Sequence, residues 1–234
     1  MKDISLILHI IAGSTALLST FIAVPFKKGT KFHNNSGQIY FYSMTLVFIT
    51  AMHLSLTDNP INLFLFSVGI FSYYMAFAGW RAAVERTNFP SRIDYIVAYL
   101  TLGCSGFMCY EANRLLNYGN NLSVVLFVFG GICAVMAIQD LLQFRKGPIH
   151  GKERIVRHLS RILPSVIAVF TAVLVVNGEK LGIPVLASWL GPTIIITPVI
   201  TLWNIWFRLP SSKRKGLGKK LVAQVLGQAN IDED

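Results

Sequence analysis

Apolar residues run along this chain in seven blocks, approximately 4–25, 38–57, 61–83, 94–112, 122–144, 157–177 and 184–208, separated by short polar stretches. Each block reaches or approaches the ~20 residues that a helix rising about 1.5 Å per residue needs to cross the hydrocarbon of a bilayer. The pattern predicts an all-α integral membrane protein: a seven-transmembrane-helix bundle over residues 1–209, then a tail, 210–234, basic first and acidic at its end. The first block is expected to be retained rather than cleaved, because it runs long and ends in Val24-Pro25-Phe26 without a small-residue cleavage site. No internal repeat is visible, so an inverted-repeat transporter has no support in the pattern.

Composition agrees with a lipid solvent. Hydrophobic residues make up 53% of the chain and charged residues only 14%, too apolar for an ordinary soluble surface. The net charge of +10 would suggest nucleic acid in a soluble protein, but here the cations sit in short stretches between apolar blocks. We read them as a topology signal and expect no nucleic-acid partner. Eighteen of the 21 Lys and Arg fall in 26–37, 80–93, 145–161 and the tail from Arg208, against Lys2, Arg114 and Lys180 on the other side. The positive-inside rule then places the N-terminus outside and the C-terminus in the cytoplasm, and an odd number of spans agrees. In the tail, Leu217, Leu221 and Val225 stand at helical spacing among lysines, which suits the anionic lipids of the inner leaflet as well as it suits a disordered basic tail. Cys104, Cys109 and Cys133 fit no metal-binding or redox spacing and read as structural thiols.

Ionisable residues inside an apolar block are costly and hence functional candidates. Counted from the cytoplasmic ends, His9 and His53 both lie roughly 23 Å up their helices, level with each other near the outer face. His9 shares a helical stripe with Gly13, Ala16 and Thr20, and His53 shares one with Leu46, Thr50 and Thr57. Glu111, at the outer end of the fourth block, is placed to complete the cluster. Two imidazoles at one depth suit haem b between two axial histidines, a transition-metal ion, a proton relay, or plain hydrogen bonds to neighbouring Thr, Tyr or carbonyl groups. Helices in direct contact lie about 8–10 Å apart, so haem requires the first two helices to be splayed.

A second cluster is expected at the cytoplasmic side. Arg154, His158 and Arg161 follow one helical face just before Pro164, and Asp140 lies one turn inside the preceding helix. Asp140 and Arg161 should match in depth and pair, which offsets the cost of either charge alone. The loop carrying Lys27, Lys28, Lys31 and His33 leads into the second helix, with Asn35 or Ser36 as N-cap, and forms a candidate anion-binding site at a helix N-terminus.

Several of these residues also resemble a known family. Leu8-His9-Ile10-Ile11-Ala12-Gly13, then Lys28-Gly29 with His33, Gly37 and Tyr40, and later His158, Pro164-Ser165 and Thr171-Ala172 to Asn177, are similar to the bacterial membrane proteins called domain of unknown function 2306. Asn34 and Ile162 stand where that family has a basic residue and a methionine. The resemblance implies a multi-pass protein of the bacterial inner membrane and supplies no reaction or cofactor.

Soluble-type enzyme signatures are missing: there is no HExxH, GxSxG, Walker or Rossmann pattern. Whether the chain is an enzyme stays open. The first expectation is a histidine-based redox, metal or haem site near the outer face. Its alternatives are a carrier or lipid- and anion-handling protein using the cytoplasmic basic face, or a non-catalytic subunit of a membrane complex or homo-oligomer.

Overall fold

The computed structural model describes residues 2–26, 29–85 and 89–210. Among them are seven α-helices and no strand: α1 (Lys2–Ala23), α2 (Lys31–Leu56), α3 (Leu63–Val84), α4 (Arg92–Asn117), α5 (Leu122–Lys146), α6 (Gly151–Asn177) and α7 (Val185–Arg208). All seven are long and apolar enough to cross a membrane. Lys27 and Lys28 of the expected anion loop, and the tail with Leu217, Leu221 and Val225, lie outside the described residues.

Two helices begin earlier than their apolar blocks. α2 starts at Lys31 and α6 at Gly151, because polar residues that end an apolar run do not by themselves end a helix. Thr30, in extended conformation, caps α2 by accepting the His33 backbone N–H at 3.4 Å. This corrects the N-cap expected at Asn35 or Ser36. Both lie inside the helix, where the Ser36 hydroxyl donates to the Phe32 carbonyl at 2.6 Å.

Helix α3 is the centre of the packing, since it meets α2, α4, α5 and α6. Around it, α1 lies along α2, α4 along α5, and α7 along α6. One core joins Phe71, Met75, Met108, Leu126, Phe129 and Trp189, and a smaller one joins Ala16, Tyr40, Met44, Ala76 and Val169. α3 and α6 approach backbone to backbone at Gly79, where an added Cβ would come within 2.6 Å of the Ile162 nitrogen and 2.8 Å of its Cα. Gly147, at φ +95°, lets the chain leave α5 in a conformation that other residues rarely adopt. The linker 147–150 then starts α6, yet α5 and α6 do not pack along each other. The two consecutive helices leave a gap between them that long side chains bridge.

The outward surface is apolar. Ile194 is 69% and Ile195 71% exposed, and large aliphatic residues of α1, α2, α4 and α5 are exposed likewise. Such a continuous apolar coat suits lipid contact and is disfavoured in water. Cys104, Cys109 and Cys133 are free thiols.

Candidate functional site

Charged side chains gather at the end of the bundle where α3, α5 and α7 finish and α4 and α6 begin, termed the basic end below. At its centre is Asp140 of α5, 2% exposed. Arg161 of α6, 5% exposed, donates to it through Nη2 to Oδ1 at 3.0 Å and through Nε to Oδ2 at 3.3 Å. The expected partners therefore meet across the gap. Two further groups complete the arrangement: the Tyr74 hydroxyl of α3 donates to Oδ2 at 2.8 Å, and Arg157 of α6 places Nη2 3.4 Å from Oδ1. Arg161 also donates to the Met136 carbonyl and to Gln139. A buried carboxylate with three donors on it, two of them cationic, is a satisfied and strongly held anion.

Arg157 is held less completely. Its guanidinium lies 4.8 Å from the centroid of the Phe144 ring, and its buried Nε–H has no acceptor. On one side Arg157 and Asp140 face a cleft of about 500 Å³ between α5, α6 and the end of α7. Lys146, His150, Glu153, Ser160, Arg161 and Arg208 also line it. Four cations against the carboxylates of Asp140 and Glu153 leave this cleft net positive. Sequence reasoning missed Tyr74, Arg157, Lys146 and Arg208. Arg157, four residues before Arg161, was legible as a second cation on the same helical face. Tyr74 lies in an apolar block and carried no signal of its partner.

Arg154 and His158 do different work. Arg154 Nε donates to the Ala82 carbonyl at 2.9 Å, its Nη2 donates to the Ala83 carbonyl, and His158 Nδ1 binds the Gly79 carbonyl at 2.8 Å. A carbonyl only accepts, so this imidazole carries its proton on Nδ1. These groups satisfy the last carbonyls of α3, where a positive side chain also matches the negative end of the helix dipole. Arg81 of α3 pairs with Asp94 of α4 at 2.8 Å, tying the neighbouring helices together. The expected row of Arg154, His158 and Arg161 is thus split between anchoring α3 and neutralising Asp140.

The α2 start does not gather into an anion site among the described residues. Lys31 is exposed, the Thr30 cap occupies one free amide, and His33 Nδ1 donates to the Ala23 carbonyl at 3.0 Å, closing the end of α1. The His33 ring also stands edge-on to His158, with centroids 6.5 Å apart.

Compared with family models, curated proteins and solved structures, the chain matches none of them. Its function has to be read from its own residues.

The expected histidine site lies at the opposite end of the bundle. His9 Nδ1 meets Thr50 Oγ1 at 2.9 Å, and Thr50 spends its own hydrogen on the Leu46 and Val47 carbonyls, so it accepts from the imidazole. His9 is thus level with Thr50, and His53 lies one turn further along α2. His53 Nδ1 is buried without a partner. Glu111, 4% exposed, is bound by Arg114 on its own helix at 2.7 Å. α4 packs on α3 and α5, whereas α1 packs on α2 and α6, so Glu111 does not join His9 and His53. Among the described residues no three His, Cys, Asp or Glu side chains come together as a metal-ligand group. The close α1–α2 packing and the direct His9–Thr50 bond also leave no porphyrin-wide space between these helices.

Proposed function

We propose that this is a multi-pass protein of a bacterial inner membrane, with its basic end in the cytoplasm, which binds an anionic ligand in the cleft between α5, α6 and α7. The observation that carries this reading is the arrangement at Asp140: two guanidinium groups share one carboxylate beside a net-positive cleft. An enclosed excess of positive charge next to an apolar surface favours a phosphate- or carboxylate-bearing partner, drawn either from the anionic headgroups of the inner leaflet or from solution. This is the carrier or lipid-handling alternative. It is favoured over a histidine metal site because, among the described residues, no third His, Cys, Asp or Glu joins His9 and His53 as a ligand group.

Binding is tested with two probes. The purified chain in phosphatidylcholine nanodiscs is expected to bind sulfate measurably by calorimetry, or to retain phosphatidylglycerol over phosphatidylcholine when extracted from mixed bilayers. Lys146→Ala and Arg208→Ala, both at the rim, should each weaken that binding by about two- to fivefold, the worth of one partly exposed charge contact. A wild-type chain that holds neither sulfate nor the anionic lipid would overturn the reading.

Orientation has its own measurement. In a background without native cysteines, Lys152→Cys at the basic end should be labelled by an impermeant maleimide only after the inner membrane is opened. Tyr118→Cys, 78% exposed at the other end, should be labelled from outside. The reverse pattern would turn the protein over and place the cleft on the outer face.

A further inference from the structure

We infer that Asp140 is an exchangeable counter-ion: an anion entering the cleft takes over Arg157 and Arg161, and Asp140 accepts a proton as it is displaced, so that anion and proton bind together. This rests on the anion-binding reading above and adds its coupling.

The geometry gives three reasons. First, Asp140 Oδ1 is shared by both guanidinium groups, at 3.0 Å from Arg161 and 3.4 Å from Arg157, so the second pairing is long and incomplete. Arg157, which lines the cleft, also keeps a buried Nε–H with no acceptor, so its guanidinium is not fully satisfied by Asp140. Secondly, two cations and one carboxylate leave the cluster with one surplus positive charge. A bound anion offsets it but also sets a second negative group beside the Asp140 carboxylate, a repulsion that a proton held between the two relieves. Thirdly, a protonated Asp140 is not stranded. Its Oδ2 still accepts from the Tyr74 hydroxyl, and its new O–H can donate to the anion. The proton comes from the buffered solvent, and the balance is simple: carboxylate, buffer acid and anion become carboxylic acid, buffer base and an anion held by the two arginines.

Other groups face this cluster. Tyr74 comes from α3, Arg157 and Arg161 from α6, Arg208 from α7, and Lys146 and the more deeply set Cys133 from α5 itself. Tyr95 of α4 packs on the Phe144 ring with centroids 5.0 Å apart. His150 and Glu153 line the rim of the same cleft.

The test is sulfate affinity and proton uptake between pH 5 and 8, measured by calorimetry in buffers of different ionisation enthalpy. Phosphatidylglycerol in nanodiscs serves as the second probe if the lipid alone binds. Neither probe titrates in this range. Wild type should take up about one proton per anion, with affinity falling about tenfold per pH unit at the alkaline end. Asp140→Asn should bind with a flat profile and no proton uptake. Tyr74→Phe removes a donor that favours the carboxylate, so its fall should move to higher pH; this variant keeps the test open if Asp140→Asn does not fold. Since His150 and Glu153 line the cleft, His150→Gln and Glu153→Gln can shift the affinity itself, but each should keep the uptake of about one proton per anion. Intact binding with a flat wild-type profile, an Asp140→Asn profile like wild type, or an unmoved Tyr74→Phe profile would overturn the coupling alone. Absence of binding at every pH would overturn the anion site beneath it.

Discussion

Asp140→Ala is expected to cost roughly 3–5 kcal/mol of folding stability, Arg161→Ala somewhat less, and the double replacement clearly less than the sum of the two. Removing the carboxylate leaves two guanidinium groups without their shared anion, Arg161 keeping only the neutral acceptors Met136 carbonyl and Gln139, and it orphans the Tyr74 hydroxyl, so a buried charge is uncompensated. Removing Arg161 is milder because Arg157 already lies within ion-pair distance of Asp140. The double variant deletes both charges at once and closes much of the deficit. Reversible unfolding in mixed detergent micelles, followed by tryptophan fluorescence, would give the cycle. Additive losses would show that the 3.0 Å contact contributes no coupling energy.

Gly79→Ala is expected to destabilise by about 1–3 kcal/mol even though alanine is the better helix former. Propensity alone favours the substitution by about 1 kcal/mol. Against it stands a Cβ placed 2.6 Å from the Ile162 nitrogen and 2.8 Å from its Cα, backbone atoms of a packed helix that cannot rotate away. Separation of α3 and α6 would also lengthen the His158 bond to the Gly79 carbonyl and the Arg154 bond to the Ala82 carbonyl. The steric term therefore outweighs propensity. Gly106→Ala on α4 is the matched control: nothing lies within 4 Å of its added Cβ, so it should be neutral or slightly stabilising. Equal behaviour of the two variants would mean that the α3–α6 contact is looser than the geometry indicates.

How the chain divides between the legible and the hidden follows from dimension. Helix number and approximate length can be read from the sequence because hydrocarbon imposes a minimum apolar run, and seven runs became seven helices. Starts at Lys31 and Gly151 could not be read from hydropathy, because a polar helix start looks like a loop until its cap, here Thr30, is recognised. Depth along a helix is also a one-dimensional quantity, obtained by counting residues from a charged end. It brought Asp140 and Arg161 together correctly, since their helices are consecutive and an unpaired charge has few places to go.

Which helices stand next to each other is not a property of depth. Glu111 can be level with His9 and His53 and still belong to another part of the bundle, since α3 separates α4 from α1 and α2 in the packing. Likewise, no spacing rule joins Tyr74, Arg157, Lys146 and Arg208, which come from four different helices. The sequence by itself determined how many apolar helices form and which buried charge needed a partner. Only the tertiary structure decided that α3 sits at the centre, that α5 and α6 part to leave a cleft, and that Arg157 and Arg161 share Asp140 at its wall. Those outcomes depend on where small residues such as Gly79 let two backbones touch, a contact between segments far apart in the chain.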